Sequence, residues 1–432
     1  MLKRKASESL KKWKNQPNHK ALLVKGARQI GKTFSIRQFA QENYKNVVEI
    51  NFVTQPALKR AFEGELSVNE MIAAISLAMP GVKFLPHETL LFLDEIQECP
   101  QARTSIKFWV QDGRFDIVES GSMLGINYKE VTSYPVGYET EFEMYSLDFE
   151  EFLWAVGIDQ YAIGQLKRYF ENEQRVDALS HESMMKHLRT YMVVGGMPTV
   201  VNRFVETHNF SEVHEEQQSI VQTYLNDIAK YAPSADKPKA RRCYLSLPVQ
   251  LSKENTKFQY SVVEKGGTSR KFASSLDWLS DAGLVKFCHN VSTPEFPLKA
   301  YIKEDQFRVY ATDIGLLISM YDYDTKAALI NDTLKGPAKG GLYENLIADI
   351  LLKKKIPLCY FCNDNHSVEI EFLLSQNESV IPVEVKSKKG PTASLNAILR
   401  ENDMLLGIKL SAQNVGRCEN KLTVPLYMAM FL

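Results

Sequence analysis

The stretch GARQIGKT at residues 26–33 decides the fold, because it fits the pattern GxxxxGK(S/T) without a mismatch. It follows the apolar run ALLVKG and opens a segment, GKTFSIRQFAQENY, with helical character. In such a strand–loop–helix unit, glycines let successive N–H groups turn towards a phosphate, and the helix N-terminus adds partial positive charge. The residues expected to contact the nucleotide are Gly26, Ala27, Arg28, Gln29, Ile30, Gly31, Lys32 and Thr33.

Within this loop, two side chains have separate tasks. Lys32 would reach the β and γ phosphates, and the Thr33 hydroxyl would ligate Mg²⁺. The second half of such a site is an apolar strand that ends in acidic residues, and LLFLDEIQE supplies Asp94 and Glu95. We expect Asp94 to hold Mg²⁺ through its water shell and Glu95 to polarise the attacking water. The cofactors predicted here are therefore ATP and Mg²⁺.

The next apolar run ends in Ser120-Gly121-Ser122. A hydroxyl at this position, that of Ser122, would sense the γ phosphate of the nucleotide. A plain Ser/Gly turn explains the same residues equally well. Both interpretations stay open at the level of the sequence.

Four apolar runs alternate with helical segments in the first part of the chain: ALLVKG, VVEINF, TLLFLDEI and FDIVESGS. This alternation predicts the α/β class, with a parallel sheet covered on both faces. After residue 148 long helical stretches predominate, and YAPSADKPKA at 231–240 has the composition of a linker. The following residues to about 320 show a helix, helix, strand pattern, and the tail returns to one helix and alternating strands.

Length and charge limit the classes of protein that remain. At 432 residues the chain is about three times the commonest domain size, so several domains are expected. Lys and Arg together number 52, as do Asp and Glu, so no overall field draws the protein to nucleic acid or to an acidic membrane. No apolar run approaches the roughly 18 residues of a membrane span. We expect a cytoplasmic protein without a membrane partner, and the oligomeric state stays open.

The motifs, in their order, resemble a family: AAA-type ATP-binding proteins of bacteria and archaea that carry a C-terminal domain of unknown function. The resemblance rests on GARQIGKT, LFLDEIQ, SGS followed by SYPVG, MYSLDFEEFL, VVGGMP, VYATDIGLL, GLYENLIA and IPVEVKS. It covers nearly the whole chain. One departure is Tyr138, which stands where the family usually has a basic residue after SYPVG. No arginine finger is identified by the sequence, although Arg28 and Arg114 are candidates.

Positive charge is concentrated at residues 230–303, which carry a net charge of +7 while the whole chain is neutral. Phe272, Leu276 and Leu279 have helical spacing before Gly283, as in the second helix of a winged helix-turn-helix. Arg270 and Lys271 would then lie at the start of that helix, where DNA is contacted. Contact with DNA through residues 230–303 and a winged helix used only for protein contacts are both open interpretations of this segment.

The tail contains a second set of acidic residues. If SVEIEFLLS and VIPVEVKS form a hairpin with the loop QNES, Glu371 lies opposite Glu384, and Glu369 lies opposite Lys386. Nucleases of the restriction-endonuclease type combine carboxylates that bind Mg²⁺ with a lysine that stabilises the attacking hydroxide. The family resemblance implies such a fold, with Glu344, Glu371, Glu384 and Lys386 as its site. A solvated strand face is the alternative.

The predicted architecture has four parts: an AAA-type P-loop domain at 1–160, a helical lid at 161–235, a winged helix at 236–325 and a restriction-endonuclease-like α/β domain at 326–432. The predicted function is that of an ATP-binding, ATP-hydrolysing regulatory protein. A Mg²⁺-dependent nuclease coupled to ATP and a non-catalytic DNA-binding adaptor remain as alternatives.

Overall fold

The structure, a computed structural model, describes residues 2–64, 66–123, 135–253, 257–387, 390, 392–402 and 404–432. The chain forms two compact units. The N-terminal unit comprises Lys3–Ser146 with Asp281–Gly283, and the C-terminal unit comprises Leu147–Ser280 and Leu284–Leu432. The domain boundary predicted at residue 160 therefore lies beyond the end of the N-terminal unit.

A parallel sheet organises the N-terminal unit. Its strands are β1 (Ala21–Gly26), β2 (Asn46–Asn51), β3 (Thr89–Asp94), β4 (Asp116–Ser122) and β5 (Glu139–Glu143). Its α-helices are α1 (Ala6–Lys14), α2 (Lys32–Asn43), α3 (Val68–Ala78) and α4 (Pro100–Asp112), and 3₁₀ helices lie at Pro56–Phe62 and Ile96–Glu98. The strand order is β2-β3-β4-β1-β5, and every neighbouring pair is parallel. The first four strands coincide with the four apolar runs, which confirms the predicted P-loop α/β fold class.

The degree of burial explains why four of these strands could be predicted from apolar runs in the sequence and the fifth could not. All six residues of β3 are buried, as expected of a parallel strand with helices on both faces. By contrast, β5 reads ETEFE, is partly exposed along its length and lies at the edge of the sheet. Edge strands often carry charged residues, so β5 has no apolar run by which it could be recognised in the sequence.

Strand β4 contains a buried carboxyl group. Glu119 is fully buried, and neither of its oxygens has a hydrogen-bond partner among the described residues. Burial raises the pKa of Glu119 to about 8; the nearby charge of Glu139 adds to the rise, and that of Arg103 opposes it. At neutral pH Glu119 is therefore mainly protonated, which avoids an unpaired charge in the sheet.

The C-terminal unit contains two further sheets and most of the helices. Its strands are β6 (Val285–Val291), β7 (Ile302–Ala311), β8 (Cys359–Cys362), β9 (Glu369–Ile370), β10 (Phe372–Gln376), β11 (Ser379–Val385), β12 (Gly407–Ser411), β13 (Gly416–Cys418) and β14 (Lys421–Pro425). One sheet has the order β7-β6-β8-β9 and the other β10-β11-β12-β14-β13. In the second sheet β11, β12 and β14 are parallel to one another.

The predicted helical region is present and continuous. The α-helices of this unit are α5 (Phe149–Ala155), α6 (Gln160–Glu171), α7 (Ala178–Val194), α8 (Pro198–Thr207), α9 (Phe210–Tyr231), α10 (Lys237–Leu251), α11 (Tyr260–Val263), α12 (Ser269–Asp281), α13 (Ile314–Ser319), α14 (Tyr323–Ile330), α15 (Pro337–Lys353) and α16 (Ala393–Glu401). Short 3₁₀ helices lie at Leu298–Tyr301 and Leu426–Phe431.

The linker predicted at 231–240 is only the short gap between α9 and α10, because α10 already begins at Lys237, with a proline in its first turn. Helices α10 to α12 lead into the antiparallel pair β6 and β7.

Two glycines in backbone contact hold the helical region to the next segment. Gly195 ends α7 with a φ of 76°, and a Cβ atom on Gly315 would lie 2.5 Å from its N and Cα atoms. Asp313 closes this contact, because its carboxylate accepts from the backbone N–H of Gly196 at 2.9 Å and of Leu316 at 3.1 Å. The motifs VVGGMP and VYATDIGLL therefore meet in space and require the absence of side chains there.

Substituting Gly315 by alanine should destabilise the C-terminal unit. The added Cβ would force apart two backbone segments, and overpacking of this kind costs roughly 1–3 kcal/mol. The matched control is Gly340→Ala, since no heavy atom lies within 4 Å of a Cβ at that helical position, and alanine is favoured over glycine there by about 0.5–1 kcal/mol. Thermal unfolding of both full-length variants measures the difference, and equal melting temperatures would contradict the contact.

The stability of the N-terminal unit should depend on pH through Glu119. The pKa is raised in the folded state, so the stability that this carboxyl contributes is complete below its unfolded value of 4.5 and is lost as the pH rises through about 8. Glu119→Gln should remove this loss and be more stable than the unchanged chain at about pH 9. Hydrogen exchange in β1 to β5 between about pH 5 and pH 9 measures it. Glu141→Gln, at a half-exposed carboxylate, should keep the original pH dependence.

Candidate functional site

Polar side chains converge where the strands of the N-terminal sheet end. Asp94 is the last residue of β3, is 2% exposed and pairs in register with Asn51, the last residue of β2. Its carboxylate accepts hydrogen bonds from Thr33 Oγ1 at 3.1 and 3.2 Å and from Asn51 Nδ2 at 2.8 Å. It also accepts from Ser120 Oγ and from the backbone N–H of Glu95. A buried carboxylate needs such partners, and these tie α2 and three strands to one point.

The loop between β1 and α2 has the backbone geometry of a phosphate cradle. Gln29 and Gly31 lie in the left-handed region, with φ of 65° and 89°, and such alternation makes an anion-binding concavity of backbone N–H groups. Gly26 cannot carry a side chain, because a Cβ would lie 2.3 Å from Met144 O and 2.5 Å from Ile30 Cδ1. The residues present therefore fit a polyphosphate at the N-terminus of α2.

Lys32 is turned back onto this loop. Its ammonium donates to Ala27 O at 2.8 Å and to Gly26 O at 3.1 Å. Burial lowers the pKa of Lys32 to about 8, and the carboxylates of Glu95 and Asp94 oppose that shift. A phosphate beside this ammonium would stabilise its charged form, so the lysine is suited to an anionic ligand.

Glu95 has an unusual backbone conformation. Its φ is 55°, in the left-handed region, which costs a residue with a side chain roughly 1–2 kcal/mol. Its carboxylate accepts from Gln97 Nε2. Such strain at a half-buried carboxylate is typical of functional positions.

The remaining nucleotide candidates are distributed as follows. Ser120 and Ser122 lie within β4 and are buried, so they do not form the turn that was the alternative for this motif. Ser120 donates to Asp94, and the role predicted for Ser122 at the γ phosphate stays a prediction. Tyr138 accepts from Gln111 Nε2 at 2.9 Å, while Ser133 and Tyr134 of the SYPVG motif lie outside the described residues. Arg114 is held by Asp112 through two hydrogen bonds at 2.6 and 2.8 Å.

Sequence reasoning missed two residues of this site, Asn51 and Gln97. Asn51 follows an apolar strand as a single amide, and nothing in its neighbourhood marks it as functional. The signal that could have found it is positional, since the carboxyl ends of adjacent parallel strands share one edge of the sheet. Gln97 Oε1 is buried without a hydrogen-bond partner in the described part of the chain.

The tail brings together part of the second predicted site. The register of β10 and β11 pairs Phe372 with Val383, which places Glu371 level with Glu384 as predicted, although the loop is shorter than QNES. Lys386 Nζ lies 3.1 Å from Glu384 Oε1 and 3.5 Å from Glu371 Oε1. Burial raises the pKa of Glu371 to about 7 and also raises that of Glu384. Glu384 Oε2 is buried and has no hydrogen-bond partner among the described residues.

The expectation that Glu369 faces Lys386 is wrong. The predicted strand breaks at Glu371, so that Glu369 belongs to β9 and pairs with Cys362 of β8 in the other sheet. Its carboxylate contacts Arg308, which also lies 3.4 Å from Glu344. Within the described residues no three His, Cys, Asp or Glu side chains form a group that could hold a metal ion. The acidic residues are thus divided between Arg308 and Lys386.

In the basic segment, one carboxylate engages Lys271, one of the two expected contacts, together with Arg242. Glu264 accepts from Lys271 Nζ at 2.5 Å and from Arg242. Arg270, in the first turn of α12, is exposed and makes no hydrogen bond or ion pair with a described residue. Only Arg270 of the predicted pair is therefore available to a phosphate without a change of partner.

Three family models match the chain. A model described as an AAA domain matches residues 18–153, and a domain of unknown function, DUF4143, matches residues 339–427. Another domain of unknown function, DUF8612, matches residues 185–327 between them. The AAA match contains the loop, Asp94 and Glu95, and the DUF4143 match contains Glu344, Glu371, Glu384 and Lys386.

Individual relatives are distant. An uncharacterized protein of Methanocaldococcus jannaschii is 24% identical over 213 residues, which are 49% of this chain and 41% of that protein, so the match spans less than half of the relative. The Walker-type ATPase of Pyrococcus abyssi is 12% identical, with a TM-score of 0.44 over 74% of this chain and 96% of that one. The Orc1 protein of Aeropyrum pernix, solved in complex with DNA, is 12% identical, with a TM-score of 0.29 over 77% and 93%.

The length and polarity of the helices decide whether one of them could cross a membrane. Throughout the described part of the chain, each of them is too short or too polar to reach across a lipid bilayer.

Proposed function

We propose that this AAA-type P-loop protein with a C-terminal domain of unknown function binds ATP with Mg²⁺, hydrolyses it and acts as an ATP-dependent regulatory switch. The AAA domain and its parallel sheet support an ATP-binding NTPase. The observation that carries the proposal is the contact between the Thr33 hydroxyl and the Asp94 carboxylate at 3.1 Å. It joins the two oxygen ligands of a P-loop magnesium site at the mouth of the cradle.

The roles follow from the chemistry of each side chain. The backbone N–H groups of the loop would bind the phosphates, and Lys32 would supply a point charge to the β and γ phosphates. Thr33 and Asp94 would hold Mg²⁺, which offsets the charge that develops on the phosphates. Glu95 is the base that would orient the attacking water, and Ser120 and Asn51 would hold the Asp94 carboxylate in place.

A second candidate function is Mg²⁺-dependent cleavage of DNA by the C-terminal unit. The unpartnered oxygen of Glu384, beside Glu371 and Lys386 in the described part of the tail, favours it, because an orphaned carboxylate oxygen is suited to a cation. Glu344 does not strengthen the case, since it is engaged by Arg308 and Tyr310. A metal would thus have two carboxylates here.

A third candidate is an adaptor that binds DNA through residues 230–303. It is supported by the local charge of +7 and by a helix-turn-helix order, α11 and α12, followed by the β6–β7 pair. Arg270 is an exposed basic side chain of this segment that is paired with no described residue.

Lys32→Ala should weaken ATP binding by roughly 10- to 150-fold, the loss expected when a charge-assisted hydrogen bond worth about 1.5–3 kcal/mol is removed. Titration of the full-length chain with ATP and Mg²⁺ measures it. Lys45→Ala is the control, because it removes the same charge from an exposed position paired with Glu88. Unchanged affinity in a folded Lys32→Ala chain would contradict the assignment.

Glu95→Gln separates binding from hydrolysis in the same site. The amide can hydrogen-bond to water but cannot accept its proton, so turnover should fall by about 10²–10⁴-fold while ATP remains bound. Steady-state ATP hydrolysis, measured beside ATP affinity on the same preparation, checks both halves. If turnover is unchanged, another residue activates the water.

DNA binding, tested with the full chain, should weaken steeply as salt rises, through the release of counterions. Arg270→Ala should make the fall of log affinity with log salt concentration shallower by the amount that one phosphate contact contributes. Glu264→Gln should strengthen binding, because it frees Arg242 and Lys271. Opposite signs for two surface variants are not expected of a general loss of folding. Absence of binding at low salt would sink the adaptor.

Lys386→Ala should abolish Mg²⁺-dependent DNA cleavage, since the lysine would act on the attacking water. It should also destabilise the C-terminal unit at neutral pH and less so in acid, because Glu371 and Glu384 lose their shared cation. Lys167→Ala, at an exposed pair with Glu171, is the control for both readouts. A chain that hydrolyses ATP but leaves single- and double-stranded DNA intact contradicts the nuclease.

A further inference from the structure

An open cleft of about 390 Å³ lies in the C-terminal unit, and neither Glu371 nor Glu384 lines it. It is lined by α7, by the start of α15 and by the residues that follow β11 and β12, namely Ser387 and Ala412. Because β11 and β12 are parallel, this is the edge at which their carboxyl ends meet. Ligands of open α/β sheets bind in crevices at that edge.

Arg189 is the basic side chain of this cleft, and it lacks a partner among the described residues. Its Nε atom is buried without a hydrogen-bond acceptor, and its guanidinium makes no ion pair or hydrogen bond with any described residue. The Nε atom of this half-buried arginine has lost water without gaining an acceptor, and an anion in the cleft would supply one. Its planar fork of donors matches phosphate and carboxylate oxygens.

A second unused donor lies in the same cleft. Tyr343 is 1% exposed as a whole residue, and its hydroxyl has no hydrogen-bond partner in the described part of the chain. Burial raises the pKa of Tyr343 to about 12, so the phenol stays protonated and can donate. Ser387 adds a hydroxyl, which donates or accepts as its ligand requires.

The other polar residues of the cleft are already engaged or lie at its rim. His181 uses both ring nitrogens, at 3.1 Å from Tyr427 Oη and 3.1 Å from Ala412 O. Asp332 is neutralised by the buried ammonium of Lys339, which lies 2.5 Å from its Oδ1. Glu182 is exposed to solvent. The positive charge of Arg189 is therefore the one that this cleft leaves uncompensated among its described residues.

We propose that this cleft binds a phosphate monoester, with Arg189 and Tyr343 as its donors. Two or three convergent donors suit a phosphate, which presents three terminal oxygens, and the cleft is larger than a lone anion requires. The phosphate belongs either to a free nucleotide or to the end of a nucleic acid strand, and both share this chemistry. All the lining residues belong to the C-terminal unit, and Ser387 directly follows Lys386 of the nuclease candidate.

Calorimetric titration of the full-length chain carrying Lys32→Ala tests the site without contribution from the P-loop. The probes are inorganic phosphate, AMP against adenosine, and a short oligothymidylate with and without a 5′-phosphate. AMP should bind better than adenosine, and Arg189→Gln should weaken its binding by about 10-fold or more, as expected for the loss of a charge-assisted hydrogen bond. Arg203→Gln, at an exposed arginine paired with Glu212, is the matched control and should change nothing.

Tyr343→Phe keeps the ring and removes only the hydroxyl, so it tests the site even if Arg189→Gln does not fold. It should weaken phosphate binding without lowering the melting temperature. Preference for the phosphorylated oligonucleotide over AMP would identify a strand end, and the reverse a free nucleotide; both retain the site. Equal binding of the phosphorylated and unphosphorylated members of both pairs, or unchanged affinity in both variants, would overturn it.

Discussion

The N-terminal unit depends on the buried carboxylate of Asp94. An unpaired charge at 2% exposure would cost several kcal/mol, so the surrounding chain must supply donors. Thr33, Asn51, Ser120 and the backbone of Glu95 do so, and they come from α2, from β2 and β4 and from the residue that follows β3. The same contacts that satisfy the charge fix the loop relative to the sheet. The stability of the N-terminal unit and the proposed nucleotide chemistry therefore depend on the same carboxylate, that of Asp94.

The C-terminal unit depends instead on a close backbone contact at which two residues carry no side chain. Gly195 and Gly315 bring two backbones together, and the carboxylate of Asp313 accepts from N–H groups beside this contact. The buried ammonium of Lys353 adds a hub, since it donates to Leu147 O, Tyr191 Oη and Asp349 Oδ2. The motifs VVGGMP and VYATDIGLL are thus packing motifs, which explains why the sequence suggested no chemistry for them.

The sequence predicts the features that depend on neighbouring residues in the chain, but not those that depend on residues distant in sequence. The loop, Lys32, Thr33, Asp94 and Glu95 occupy contiguous motifs whose spacing carries their chemistry, and four strands carry continuous apolar runs. Asn51 could not be found, because its role exists only through the register with Asp94. Glu369 was misplaced because a period of two residues cannot show that a strand changes sheets at Glu371. Arg308, which attracts Glu369 and Glu344, lies far away in sequence.

The two lysines with predicted roles, Lys32 at the nucleotide phosphates and Lys386 at the attacking hydroxide, differ in the partners that they would have to leave. Lys32 donates to two neutral backbone carbonyls, and a neutral hydrogen bond contributes only about 0.5–1.5 kcal/mol, or somewhat more when the donor is charged. Lys386 is the shared cation of two buried carboxylates, and breaking a buried pair costs about 3–5 kcal/mol. A phosphate can therefore take Lys32 at little cost, whereas at Lys386 a metal ion must first replace the ammonium as the partner of Glu371 and Glu384. On these magnitudes Lys32 can exchange its present partners for a phosphate, whereas the carboxylates of the tail are already neutralised by Lys386.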